Sequence, residues 1–133
     1  MANTIVIPIT ELTRHTVTRA RGKEACRNLV SRLRSVRDRP VNVIVDFSSA
    51  PAVSGSFIDE MVIRTAEILA DREVRIAFRL SSESDTRKLQ KVCAIRGVRC
   101  KYQVGESGTL KHTRKATVSP LEAQEYRGAL FTT

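Results

Sequence analysis

The residues best placed to do chemistry lie in one short segment, Ser54 to Glu60, with the sequence S-G-S-F-I-D-E. Ser56 precedes an apolar stretch of helical periodicity, and Asp59 follows it by three residues, where the acid of a capping box would lie. The pattern therefore predicts a helix with Ser56 as its N-cap. Asp59 and Glu60 in the first turn would also complement the positive end of the helix dipole.

The same segment has a second interpretation, as a surface that contacts another molecule. Glu60 is expected to form an acidic lip that meets a basic partner, whereas Asp59 is expected only to stabilise the helix start. Phe57 could anchor an interface, but its spacing to Met61 is also that of a core pair within one helix. Ser54 lies in the loop that leads to this helix, so residues 48–60 form the candidate contact surface.

A second group of residues gives the chain its unusual net charge of +9. The segment from Arg14 to Arg39 contains only two acidic residues, Glu24 and Asp38. Its nine basic residues are Arg14, Arg19, Arg21, Lys23, Arg27, Arg32, Arg34, Arg37 and Arg39. Lys23, Arg27 and Arg34 fall on one face of a predicted helix, opposite its apolar stripe, and form a basic ridge. This ridge is either a solvated face, a docking surface for an acidic partner, or a contact for nucleic-acid phosphates.

Several function classes lack their usual sequence signals. The two histidines are far apart and have no ligand-forming neighbours at metal-site spacing, so we expect no metal. Glycine-rich phosphate loops and the G-x-S-x-G motif do not occur, so we expect no catalytic residues and no cofactor. Cys26, Cys93 and Cys100 have no C-x-x-C spacing, which favours reduced, buried thiols. Apolar runs shorter than a membrane span and the lack of an export signal favour a cytoplasmic protein without a membrane partner.

The elements that must position these residues alternate between strand and helix periods. Apolar patterns predict strands at residues 4–9, 41–47, 73–80 and 98–104, and helices from Arg21, from Ser56 and between Ser84 or Asp85 and Gly97. The run 41–47 is β-branched and is predicted to be a central strand, buried on both faces. The alternating order predicts an α/β fold with a mainly parallel central sheet of four or five strands, flanked by helices. Ser119-Pro120 predicts a short C-terminal helix at about 119–128.

One stretch resembles a known family. Residues 43 to 61 combine Asp46-Phe47 at a strand end with Ser54, Ser56, Phe57, Asp59 and Glu60 at a helix start, and this arrangement resembles the STAS superfamily of sulfate transporters and anti-sigma factor antagonists. It is more similar to a bacterial STAS-like branch of unknown function, which the R-x-x-x-A-x-x-x-L pattern of Arg21, Ala25 and Leu29 also resembles. The likeness implies a STAS-like domain at 1–104, followed by a C-terminal extension at 105–133 that is part of the same domain or packs on it.

The resemblance also implies a role. In anti-sigma factor antagonists a serine at the helix start is phosphorylated by a partner kinase, and the matching position here is Ser56. Because Asp59 and Glu60 would repel a phosphate, a simple N-cap remains the alternative. We therefore expect a non-enzymatic regulatory module that binds a protein, such as a histidine-kinase-like ATPase, through residues 48–60. The second hypothesis is an accessory protein that binds nucleic-acid phosphates through residues 14–39, and a homodimer is compatible with either.

Overall fold

The computed structural model of the protein describes residues 3–69 and 73–113. Its strands are β1 (Asn3–Pro8), β2 (Val41–Asp46), β3 (Val74–Leu80), β4 (Lys101–Val104) and β5 (Lys111–His112). Its α-helices are α1 (Arg19–Arg34), α2 (residues 55–68) and α3 (Glu83–Arg96), and a 3-10 turn spans Ile9–Glu11. Within α2 the turns are α-helical at Gly55–Ile58, π-helical at Asp59–Ile63 and α-helical again at Arg64–Ile68.

The five strands form one sheet in the order β1-β2-β3-β4-β5. The first four strands are parallel, and β5 pairs antiparallel with β4. This confirms the predicted α/β fold with a mainly parallel sheet. β5 falls within the segment 105–133, so the start of the predicted extension contributes to the sheet, whereas the predicted helix at 119–128 lies outside the described residues.

The side chains of β2 show how the sheet is covered. Val41, Val43 and Val45 are fully buried beneath the helices, while the alternate residues Asn42, Ile44 and Asp46 are only half-buried. β2 pairs with strands on both sides, as predicted, but the expectation that both of its faces are buried is wrong. Parallel strands that follow one another across a sheet are joined by right-handed crossovers, which place all three helices on the same side. No described helix covers the other face.

The helical layer and the sheet share one apolar core. The predicted stripe of α1 is buried against α2 and the sheet through Ala25, Leu29 and Leu33. Phe57 is fully buried, and its ring meets that of Phe47 edge to face with centroids 6.2 Å apart. This geometry is favourable for aromatic pairs, so the core interpretation of Phe57 is confirmed.

The helix ends differ in detail from the sequence prediction. α1 begins at Arg19, two residues before the predicted Arg21, because the Thr18 side chain accepts a hydrogen bond from the Arg21 N–H. The N-cap of α3 is Ser82, so the prediction of Ser84 or Asp85 is wrong. The predicted end at Gly97 is confirmed: its φ of 68° is in the left-handed region that glycine adopts without strain.

The contact between α1 and α2 requires a glycine. A Cβ atom at Gly22 would lie 2.8 Å from the Cβ of Glu60 and 3.1 Å from the carbonyl oxygen of Phe57. Neither atom is the end of a flexible side chain, so a larger residue would force the helices apart. The absence of a side chain at Gly22 therefore sets the distance between α1 and α2.

We predict that Gly22→Ala lowers the free energy of unfolding by about 1–3 kcal/mol, as overpacking does, despite alanine's better helix propensity. Urea unfolding followed by circular dichroism measures the change. Ser31→Ala is the matched control because Ser31 is exposed on the same helix, and its effect should stay within about 0.5 kcal/mol. A Gly22→Ala protein as stable as the parent would contradict the close packing.

Candidate functional site

The loop that follows β2 is held at both ends. At its start, the carboxylate of Asp46 accepts hydrogen bonds from the N–H of Ser48 at 2.9 Å and from the Ser48 hydroxyl at 2.5 Å. At its end, Val53 forms a β-bridge with Thr16, and its carbonyl oxygen accepts a hydrogen bond from Nζ of Lys88 at 2.8 Å. Between these anchors the loop exposes Ser48, Ser49, Pro51 and Ala52.

The N-cap of α2 is Ser54, and the prediction of Ser56 is wrong. The Oγ of Ser54 accepts a hydrogen bond from the N–H of Phe57 at 3.0 Å and donates one to the carbonyl oxygen of Val17. Gly55 already has helical geometry, so Ser56 lies inside the first turn and is only 1% exposed. The capping-box spacing of Asp59 favoured Ser56 in the sequence, and only the packing of the first turn shows that Ser54 is the cap.

This burial changes the expected contact surface. Ser56 and Phe57 face the core, so neither is available to a partner in the described fold. A kinase would have to reach a hydroxyl that solvent hardly touches, which argues against Ser56 as a phosphate acceptor. Of the candidate segment 48–60, the loop at 48–52 remains exposed.

Asp59 is the centre of a charged cluster that joins the three helices. Its side chain is 4% exposed and accepts two hydrogen bonds from Arg96 at 2.7 Å each, and one from Nη1 of Arg19 at 2.8 Å. Arg19 belongs to α1, Asp59 to α2 and Arg96 to α3. The expectation that Asp59 is merely a first-turn acid is therefore wrong, because its carboxylate is an internal ionic contact.

The pKa of Asp59 reflects two opposing causes. Burial alone would raise the pKa, but hydrogen bonds from Arg96 and Arg19, with the charges of both arginines, outweigh it and hold the pKa below its ordinary value. The carboxylate therefore stays ionised in the folded protein. The same contact raises the pKa of Arg96, so both partners remain charged.

Glu60 is also engaged within the protein. Its carboxylate lies 3.2 Å from Nη2 of Arg64 and 3.5 Å from Nη1 of Arg19, and its side chain is largely buried. These contacts disfavour Glu60 as an acidic lip for a basic partner. Sequence reasoning missed the roles of Arg19 and Arg96, because they lie 40 and 37 residues from Asp59 and no local pattern connects them.

The predicted basic ridge lines a groove. Lys23, Arg27 and Arg34 are exposed on α1, and Arg64 of α2 faces them across a depression of about 540 Å³. Cys26, Val30 and Ile68 also line it, and we call these apolar residues its floor. We call this surface the cationic groove. The structure thus confirms that the three ridge residues share one solvent-facing side. It adds an apolar floor and a fourth cation, Arg64, which also pairs with Glu60.

Ile68 is the unusual residue of the cationic groove. It is 54% exposed, although it belongs to the helix with the most buried residues of the three. It lies in the groove together with the apolar residues Cys26 and Val30. The groove therefore combines positive charge with an accessible apolar contact, which is a pattern of interaction surfaces.

Searches of known protein families, curated proteins and solved structures find no match to this chain. Within residues 3–69 and 73–113, no group of three or more His, Cys, Asp or Glu side chains could hold a metal ion. None of the helices described above is long and apolar enough to cross a membrane. The geometry of the described residues is therefore the basis for any functional proposal.

We predict that Ser54→Ala lowers the free energy of unfolding by about 1 kcal/mol, through loss of the N-cap. Ser49→Ala is the control, since Ser49 is exposed in the same loop, and its effect should be within about 0.5 kcal/mol. Chemical denaturation measures both variants. Equal stability of the parent and Ser54→Ala would show that Ser54 does not cap α2.

Asp59→Asn should lower the free energy of unfolding by about 2–3 kcal/mol, because two arginines lose their buried counterion. This is below the cost at a fully buried pair, since Arg96 is one-third exposed. Glu11→Gln is the matched control: Glu11 pairs with Arg32 at 3.0 Å, but both side chains are about half exposed, so its cost should be below about 1 kcal/mol.

The pH dependence tests the same cluster. The folded-state pKa of Asp59 is depressed, so its contribution to stability is present above the ordinary pKa near 3.8 and is lost as the pH falls through the folded-state value. The stability difference between the parent and Asp59→Asn should therefore shrink on acidification below about pH 3.8. Denaturation series at several pH values measure it, and a difference that does not change with pH would exclude the ionic contact.

Proposed function

We propose that this protein is a non-catalytic binding module that holds an acidic segment of a protein partner in the cationic groove between α1 and α2. The observation that carries the proposal is Ile68, more than half exposed on a surface rimmed by Lys23, Arg27, Arg34 and Arg64. A positively charged rim steers acidic partners toward the site, and apolar contacts inside the rim supply affinity.

The shape of the groove indicates which protein segment fits. It runs between two adjacent helices, and its floor offers apolar contacts from both, through Val30 of α1 and Ile68 of α2. An amphipathic helix binds such a groove with one apolar face and presents its flanking residues to the rim. With cations on both sides of the groove, the favoured partner helix carries an apolar stripe bordered by Asp or Glu.

This proposal keeps the function class expected from the sequence but moves its surface. The expected contact at 48–60 is reduced to the exposed loop at 48–52, because Ser56 and Phe57 are buried and Asp59 is engaged internally. Membership of the STAS superfamily, an ATPase-fold kinase as the partner and a cytoplasmic location stay predictions from the sequence. Our proposal depends on none of them.

Nucleic acid is the second candidate, and the four rim cations favour it as well. Nucleic-acid phosphates would contact Lys23, Arg27, Arg34 and Arg64 but not the exposed side chain of Ile68. The two candidates therefore differ in their dependence on the groove floor. The affinity for duplex DNA should fall steeply as the salt concentration rises and should not change when Ile68 is substituted. The affinity for an acidic helix should depend on both the salt concentration and Ile68.

The test uses a synthetic helical peptide with a leucine stripe bordered by glutamates, a scrambled peptide of the same composition, and a random-sequence DNA duplex. We expect the striped peptide to bind at least about tenfold more tightly than the scrambled one, a difference of about 1.4 kcal/mol. Ile68→Ser should remove most of that preference. Fluorescence anisotropy at two salt concentrations measures all three ligands.

A pair of charge variants controls for net charge. Arg27→Glu/Arg34→Glu reverses two rim cations, and Arg14→Glu/Arg37→Glu makes the same change at exposed residues outside the groove. Only the rim variant should lose peptide binding. Equal losses in both variants would show a non-specific charge effect, and tight duplex binding without any peptide preference would establish the nucleic-acid function instead.

A further inference from the structure

The described part of the chain ends beside the carboxyl end of α2. Thr113, the last described residue, follows β5 and binds Cys100 twice: its N–H donates to the carbonyl oxygen of Cys100 at 2.8 Å, and its Oγ1 accepts from the N–H of Cys100 at 2.9 Å. Cys100 lines an open depression of about 340 Å³ together with Ala66 and Leu69 at the carboxyl end of α2. Residues 114–133 therefore continue from a point next to this end of the helix.

The cationic groove lies on the other side of the same turns of α2. Arg64 and Ile68 line the groove, whereas Ala66 and Leu69 line the depression. A helix with its side chains is about 10 Å wide, and the five residues 114–118 span up to about 17 Å when extended. A chain that continues from β5 is therefore long enough to pass the end of α2 and enter the groove.

The sequence beyond Thr113 has the chemistry that the cationic groove favours. In the helix predicted at 119–128, Glu122, Glu125 and Tyr126 have the spacing i, i+3, i+4 and share one side. Arg127 falls on the opposite side of the same predicted helix. One side thus presents two carboxylates and an aromatic ring, which match a cationic rim and an apolar floor.

Most cations of the groove are available to such a segment. Arg64 pairs with Glu60, but Lys23, Arg27 and Arg34 form no salt bridge with any residue that the structure describes. A segment joined to the same chain by a short linker has an effective concentration in the millimolar range. Individually weak contacts with these cations therefore suffice to keep it in the groove.

We propose that residues 119–128 occupy the cationic groove of their own chain, with Glu122 and Glu125 at the rim cations and Tyr126 against Ile68. This inference rests on the proposed function, because it identifies an acidic helix that the groove holds. The segment then competes with the partner helix, so the partner binds only the fraction of molecules whose groove is open.

Nuclear Overhauser effects between the Tyr126 ring and the Ile68 methyl groups test the placement in the full chain. We expect them in the parent, and we expect Glu122→Gln/Glu125→Gln to lose most of their intensity because the segment loses its charge contacts. The control Glu83→Gln/Glu106→Gln neutralises two exposed acids outside the segment and the groove and should retain them. A mixture of isotope-labelled and unlabelled protein separates contacts within one chain from contacts between chains.

The striped peptide described above measures the competition. Glu122→Gln/Glu125→Gln should bind this peptide about fivefold more tightly than the parent, because two exposed ion pairs no longer hold the segment in the groove. The control variant should bind it with the affinity of the parent.

Charge reversal on both sides tests which groups meet. Arg27→Glu/Arg34→Glu should abolish the Overhauser effects, and the further changes Glu122→Lys/Glu125→Lys should restore them because the charges are again opposite. A combined variant without Overhauser effects would show that these acids do not contact the rim cations.

Three other results would overturn the proposal. A parent protein without Tyr126–Ile68 Overhauser effects does not hold the segment in the groove. Effects found only between molecules would assign the groove to the segment of a second copy. Equal peptide affinities of the parent and Glu122→Gln/Glu125→Gln would exclude the competition. Failure of the proposed function is a different result, in which the peptide binds no variant while the Overhauser effects still report the position of Tyr126.

Discussion

The architecture depends on the enclosure of α2 by α1, α3 and the sheet. The contact of the Asp59 carboxylate with Arg19 and Arg96 joins α2 to both neighbouring helices. A carboxylate taken out of water is costly unless charged donors surround it, and here one donor comes from each flanking helix. The contact can form only if α1 lies close to α2, and that distance exists because Gly22 has no side chain. The ionic contact and the glycine are thus two parts of one constraint on how the helical layer is assembled.

The enclosure decides which parts of α2 can meet other molecules. Its first turns are surrounded by α1, α3 and the sheet, which is why Ser56, Phe57 and Asp59 all point inward. Its last turns reach beyond this enclosure and have accessible surface on two sides. The cationic groove lies on one side, and an open depression lined by Leu69 and Val74 lies on the other. The part of α2 that other molecules can reach is therefore its carboxyl end. The resemblance to the STAS superfamily instead directed attention to its amino end.

The sheet shows a related asymmetry. Strands added in one direction with right-handed crossovers place every helix on one face, so α1, α2 and α3 form a single layer. The opposite face has half-buried Ile44 and exposed Val6 among polar residues. Parallel sheets usually have both faces covered, and their strands read as continuous apolar runs. The alternation of buried and half-buried residues in β2 follows from the one-sided arrangement of the described helices.

The sequence alone determined the features that depend on neighbours along the chain. Alternating and helical apolar periods located the strands and helices, because each element needs one apolar face to be buried. The spacing of Lys23, Arg27 and Arg34 placed them on one solvent-facing side of α1, and Gly97 marked the end of α3. These predictions succeeded because the periodicity of a helix or strand is a local property.

Only the tertiary structure decided what lies between elements. It selected Ser54 over Ser56 as the N-cap and turned Asp59 into an internal counterion. It also brought Arg64 and Ile68 opposite the basic ridge. The physical reason is the same in each case: burial and ion pairing depend on groups that are distant in the chain, and the local pattern around a residue is identical whether its side chain meets water or another helix.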